Sequence, residues 1–92
     1  MSEVSVTING RQFRLVCEDG EEEHLAKLAH DLDTRIATMR AKVGEIGDTR
    51  LTVMVALTVA DELAEMGSRV KRMEEQLAAL QGARAVADDR SR

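Results

Sequence analysis

Tryptophan, tyrosine and proline are absent from this chain, and Phe13 is its single aromatic residue. Aromatic side chains dominate many cores and binding hot spots, so a core here has to rest on Leu, Val, Ile, Met and Ala. Cys17 stands alone, which excludes an intrachain disulfide and fits a reducing cytoplasm. Residues 1–6 contain no basic segment followed by an apolar run, so no signal peptide is expected. No stretch approaches the roughly 20 uncharged apolar residues of a membrane span. The longest, residues 51–60, is followed at once by Asp61 and Glu62. A basic excess is missing too: Lys and Arg number 13 against 17 Asp and Glu, a formal charge of −4. General nucleic-acid binding leans on phosphate neutralisation, and a mildly acidic chain is poorly equipped for it.

What is present is periodicity. Val59, Leu63, Met66, Val70, Met73, Leu77 and Leu80 recur at alternating spacings of four and three. That pattern lays one apolar stripe along a helix at close to 3.5 residues per turn, the repeat that winds against a partner helix. No other segment of the chain supplies such a partner. With 43 % hydrophobic residues in only 92, the chain is expected to complete its core with another copy of itself.

Residues 3–16 read as a β-hairpin. Val4, Val6 and Ile8 alternate with polar residues up to Asn9-Gly10, the dipeptide suited to the two positive φ angles of a type I′ turn. Ile8 then faces Arg11, Val6 faces Phe13 and Val4 faces Leu15, while Ser5 with Arg14, Thr7 with Gln12 and Glu3 with Val16 form the other face. An isolated hairpin is marginal in water, so its apolar face must rest on something.

A first helix is expected over 21–43. Asp19 and Glu22 have the spacing of a capping box. Glu21, Glu22 and Glu23 complement the positive end of the helix dipole, and Arg40 and Lys42 its negative end. Leu25, Leu28, Leu32, Ile36, Met39 and Val43 form the apolar stripe, with Lys27, Asp31, Asp33 and Arg35 toward water. Gly44 ends the helix.

Asp48 or Thr49 can cap a second helix. From 51 to 60 it is apolar nearly all round, which predicts that it is surrounded. Beyond Asp61 it carries the single stripe, with Leu63, Val70 and Leu77 at heptad a and Val59, Met66, Met73 and Leu80 at d. The helix is expected to end near Gln81, a length of roughly 33 residues or about 50 Å. In a parallel pair Arg69 would meet Glu74 of the neighbour. Gly67-Ser68 is a weak point, because glycine inside a helix costs about 1 kcal/mol relative to alanine. The expected division is a head over 1–62, a coiled-coil extension over 63–82 and a disordered tail over 83–92.

No catalytic constellation emerges. His24 and His30 lie about 120° apart around a helix, unlike a chelating pair four residues apart. Cys17 shares the parity of Phe13 and Leu15 and reads as a small apolar residue without a partner motif. The glycines form no phosphate loop, so neither a metal site nor a cofactor is expected. Arg69, Lys71 and Arg72 cluster, but Glu65, Glu74 and Glu75 flank them and no aromatic residue interleaves for base stacking. In the head, Arg11 sits at the hairpin tip, Arg14 on the hairpin's polar face, Arg40 and Lys42 at the end of the first helix and Arg50 at the start of the second. There they can form a local positive surface for an acidic partner.

Several segments carry a resemblance: Val-Thr-Ile-Asn-Gly-Arg (6–11), Leu-Val-Cys (15–17), Leu-Ala-His-Asp-Leu-Asp-Thr-Arg-Ile (28–36) and Thr-Arg-Leu-Thr-Val-Met-Val-Ala-Leu-Thr-Val-Ala-Asp-Glu-Leu (49–63). In order and spacing the chain resembles the ZapA family, bacterial cell-division proteins associated with the tubulin-like FtsZ. The resemblance implies an α+β fold: a β-hairpin and helix forming a small dimerising head, followed by a long helix that forms a coiled coil. It implies that two dimers join antiparallel through these helices into a dumbbell tetramer whose heads align or crosslink FtsZ protofilaments. It places the protein in the cytoplasm at mid-cell and carries the FtsZ contact onto Arg11, Arg40, Lys42, Glu45 and Arg50. The resulting expectation is a non-enzymatic cell-division protein with no small-molecule substrate and no membrane insertion. The other reading of the residues is a dimeric coiled-coil nucleic-acid-binding module or general adaptor.

Overall fold

The computed structural model describes residues 1–90, with side chains described through Arg84; Ser91 and Arg92 lie outside the described residues. Asn9 and Gly10 take φ of 55° and 76°, the backbone of a type I′ turn whose twist matches that of the flanking strands. Strands β1 (Ser2–Ile8) and β2 (Arg11–Cys17) accordingly pair antiparallel as a two-stranded sheet. The register is the one the alternation requires, with Ile8 opposite Arg11, Val6 opposite Phe13 and Val4 opposite Leu15. It extends one pair further at the open end, to Ser2 and Cys17.

Helix α1 (Glu22–Val43) packs against β1. Its start differs from expectation, because Asp19 caps nothing. Asp19 Oδ1 instead accepts from Ser2 Oγ at 2.6 Å and pairs with the Met1 amine at 3.3 Å, tying the open end of the hairpin. Glu21 occupies the cap position without a side-chain cap bond, and Glu22 Oε1 reaches back to the Gly20 N–H at 3.1 Å. The buried line of α1 also differs by one residue. Ala29 is buried and Leu28 is 48 % exposed. The reason is periodic: Leu25, Ala29, Leu32, Ile36, Met39 and Val43 keep a strict four-three alternation, and Leu28 breaks it. The Gly44 N–H closes the helix on the Arg40 carbonyl at 2.8 Å.

Helix α2 (Asp48–Arg90) opens with the Leu51 N–H donating to the Gly47 carbonyl at 3.0 Å. Leu51 and Val55 meet Ile36 of α1 in the buried cluster, with Ile8, Leu32, Met39, Val43 and Ile46 packed around it. The remaining faces of the apolar stretch are not surrounded. Val53, Leu57 and Val59 are exposed, because a hairpin and one helix cover only one side of α2. The helix continues past Gln81 to Arg90. Ala83, Arg84, Ala85 and Ala87 favour the helix, and no proline follows Gly82. Of the tail expected to be disordered, residues 83–90 are therefore helical in the structure.

The chain forms two units, Met1–Ala56 and Leu57–Arg92. The first holds the hairpin, α1 and the start of α2 around the Ile36 cluster. The second is the remainder of α2, where Leu63, Met66, Val70, Met73, Leu77 and Leu80 are all exposed.

Ile36 is 1 % exposed, so Ile36→Ala is expected to lower unfolding free energy by about 2–5 kcal/mol. Leu28→Ala, on the open side of the same helix, should stay within roughly 0.5 kcal/mol. Urea denaturation of the two variants checks the assignment of the inward face.

Candidate functional site

In a two-residue hairpin the flanking pair closes on itself, so the Asn9 N–H has no ladder partner. Asp33 provides one, its Oδ1 accepting from the Asn9 N–H at 2.7 Å. The Asn9 side chain is engaged as well, its Oδ1 accepting from Arg40 Nη2. Asp33 and Arg40 lie about two turns apart and hence on one face of α1. Arg40 Nε also pairs with Glu45 Oε1 at 3.3 Å, and Arg11 Nη2 reaches Asp48 Oδ2 at 3.3 Å. The hairpin turn, the second half of α1, the connection at 44–47 and the first turn of α2 thus converge.

This convergence sorts the cations expected at the site. Arg11, Arg40 and Glu45 come together there. Arg40 is partly buried and acts as a strut between Asn9 and Glu45 rather than as a bare surface charge. Arg14 is not brought to the turn, for it lies on the opposite face of the hairpin from Arg11 and pairs with Glu3 at 3.5 Å. Lys42 and Arg50 are exposed at the end of α1 and the start of α2, and among the described residues neither has an ion pair. Asn9, Asp33 and Asp48 complete the arrangement; the sequence pointed to Asn9 as a turn residue and Asp48 as a helix cap, but to none of the three as part of this site. A turn amide without a ladder partner, with an acidic residue on a neighbouring helix, is the signal that could have found Asp33. Asp33 does not point to water as its place on the helix suggested, for its carboxylate is partly buried against the turn.

Beside the turn lies an open apolar groove of about 460 Å³. Ile8, Phe13 and Leu15 of the hairpin, Leu32 and Ile36 of α1 and Val53 of α2 line it, with Arg11 and Asp48 contributing polar groups. The hairpin's apolar face therefore rests on α1 only in part, and Phe13 remains 42 % exposed. In the second unit, Val70, Met73, Leu77 and Leu80 line a shallow apolar surface along α2.

The open end of the hairpin has the opposite electrostatic character. Glu18, Asp19, Glu21, Glu22 and Glu23 gather between β2 and the first turn of α1. Removal from water, and then the charges of Glu22, Asp19, Glu21 and Glu18, hold the Cys17 thiol above its ordinary pKa. It is accordingly a weak nucleophile. The Asp19 carboxyl is held below its usual range by the Ser2 hydroxyl and then by the amino terminus. Glu22 is held down by the Ser2 hydroxyl and then by the Gly20 N–H. His24 and His30 are exposed. Among the described residues no group of three or more His, Cys, Asp or Glu is placed to hold a metal ion, and no helix is long and apolar enough to cross a membrane.

A hairpin backed by one helix, followed by a long helix with an exposed apolar stripe, defines a small α+β module. Residues 4–89 match the family described as cell division protein ZapA, and the chain belongs to that family. A cell division protein ZapA of Histophilus somni (strain 2336) is 27 % identical over 71 residues, covering 77 % of this chain and 72 % of that protein. An uncharacterized protein of Rickettsia prowazekii (strain Madrid E) is 34 % identical over 61 residues, which is 66 % of this chain. The chain spans 58 % of the length of that relative. A solved structure described as an unknown conserved bacterial protein from Pseudomonas aeruginosa PAO1 shares the fold at a TM-score of 0.72 and 25 % identity. The likeness covers 96 % of this chain and 94 % of that one.

Ser2 stabilises both depressed carboxylates, so Ser2→Ala should move the Asp19 and Glu22 titrations upward toward ordinary values. A carboxylate with a lowered native pKa contributes stability above its unfolded pKa and loses it as pH falls through the native one. The stability gap between wild type and variant should therefore be full at neutral pH and close on acidification. Side-chain carboxyl ¹³C titration with parallel urea melts reads both effects.

Proposed function

We propose that this chain is a non-enzymatic cell-division protein that binds FtsZ and aligns or crosslinks its protofilaments. The observation that carries the reading is the exposed stripe Val59, Leu63, Met66, Val70, Met73, Leu77 and Leu80 in a chain of the ZapA family. The chain exposes 7608 Å², whereas a folded monomer of 10.1 kDa is expected to expose about 5300 Å². The surplus of about 2300 Å² exceeds the roughly 800 Å² per partner of a standard interface, enough for more than one self-contact. The groove lined by Phe13 and Val53 supports pairing of heads, and the α2 stripe supports pairing of helices.

The basic residues give the head its contact with the polymer. Lys42 and Arg50 are open cations in this reading, and Arg11 can exchange Asp48 for an acidic group of the partner. An exposed ion pair such as Arg11–Asp48 contributes only about 0–1 kcal/mol, so the exchange costs little. Joining heads makes a weak contact useful. Once one head is bound, the next meets the polymer at the high effective concentration set by their linkage. The site of action is the division ring at mid-cell, in the cytoplasm.

Co-sedimentation with FtsZ from the same organism, with GTP at physiological salt, is the direct test. Joint pelleting with increased light scattering is expected, and Lys42→Glu with Arg50→Glu should reduce it. Normal FtsZ polymerisation without joint pelleting would sink the reading. In sedimentation velocity, a charged residue at Leu63, Val70 or Leu77 should remove the larger species while the heads stay paired, and an unchanged species would exclude the stripe as the joining surface.

A further inference from the structure

The hairpin turn carries Arg11 directly after Gly10, and while Ile8 anchors the strand end on the buried cluster, the polar turn beyond it needs a contact of its own to fix the direction in which it points. The Arg11–Asp48 pair cannot do so, because both side chains are at least half exposed and the contact is long for a charged pair, at 3.3 Å. The Asn9–Asp33 bond is of another kind. It is short at 2.7 Å, partly buried and accepted by a carboxylate, and it engages a main-chain donor rather than a mobile side chain. Arg40, on the same face of α1, takes the Asn9 side chain. Asn9, in the left-handed region at φ 55°, is thus held by its backbone and its side chain together.

We infer that Asp33 is a positioning residue for the head's contact with its acidic partner. By accepting the Asn9 N–H it fixes the turn on α1 and sets the direction of Arg11. Ordering a contact loop before binding removes part of the entropy cost of binding, so the clamp raises affinity without touching the partner. The partner half of this inference rests on the function proposed above, whereas the clamp itself does not.

Three variants at Asp33 separate the hydrogen bond from the charge. Asp33→Asn and Asp33→Ala remove the same charge, but only Asp33→Asn keeps an oxygen at the Oδ1 position. In the full chain labelled with ¹⁵N, the Asn9 amide of Asp33→Ala should exchange with deuterium about tenfold faster than wild type. Asp33→Asn should stay close to wild type, and the Val6 and Phe13 ladder amides should not change in either. Should Asp33→Ala fail to fold, Asp33→Ser serves instead, equally uncharged but too short to reach the turn. Pelleting with the polymer should fall several-fold in Asp33→Ala and recover in Asp33→Asn. Equal Asn9 exchange in the Ala and Asn variants overturns the clamp. Faster exchange with undiminished pelleting overturns its role in partner binding. If wild type itself does not pellet, the proposed function and the partner half fall together, and exchange alone decides the clamp.

Discussion

Ile36 of α1 meets Leu51 and Val55 of α2 in a cluster of three buried side chains, and the first unit is organised around that contact. It brings the start of α2 against α1, with Ile8 of the hairpin and Ile46 of the connection packed at its edge. Only with those elements in place can Arg11 reach Asp48 and Arg40 reach both Asn9 and Glu45. The cluster is small because the chain has a single aromatic residue and little length with which to enlarge it. Apolar side chains beyond its reach, Phe13, Val53 and Leu57 among them, stay at the surface. Limited burial inside the chain and a large capacity for contact outside it are therefore one property.

Much of this was legible in the sequence, and for identifiable reasons. Asn9-Gly10 with alternating apolar residues fixed the strand register, because a shift of one residue would turn Val4, Val6 and Ile8 to the wrong face. Gly44 marked the end of α1, and the family match carried the fold class. What stayed hidden depends on neighbours distant in the chain. Asp19 has the spacing of a cap, but the pairing of Ser2 with Cys17 brings Ser2 and the amino terminus within its reach, and it bonds to them. Asp33 looks solvent-facing on a helical projection until the turn of the hairpin is laid beside it. Ala29 replaces Leu28 inside because the spacing of the stripe outweighs the size of any one side chain.

The first unit is also electrically polarised along α1. Glu18, Asp19, Glu21, Glu22 and Glu23 surround its beginning, whereas Arg40 and Lys42 mark its end, with Arg11 and Arg50 close to the turns there. This arrangement opposes the helix dipole at both ends, and the same charges that stabilise α1 give the two ends of the head different potentials. A partner approaching in solution meets that difference before it meets any particular side chain. Salt weakens such guidance over roughly 8 Å at physiological ionic strength, which confines it to close encounters.

The connection between α1 and α2 limits how the head can diversify. Gly44 and Gly47 both have positive φ, 87° and 95°, where any other side chain is strained even though the space around them is open. Ile46 packs against the buried cluster. Of the residues at 44–47, only Glu45 projects into water without a backbone or core constraint, and among the described residues its tie is the ion pair with Arg40. Sequence drift in this connection is thus channelled into one position. A lineage of such proteins can retune the charge of this edge of the head by changing residue 45 alone, while the path of the chain from one helix to the next stays fixed.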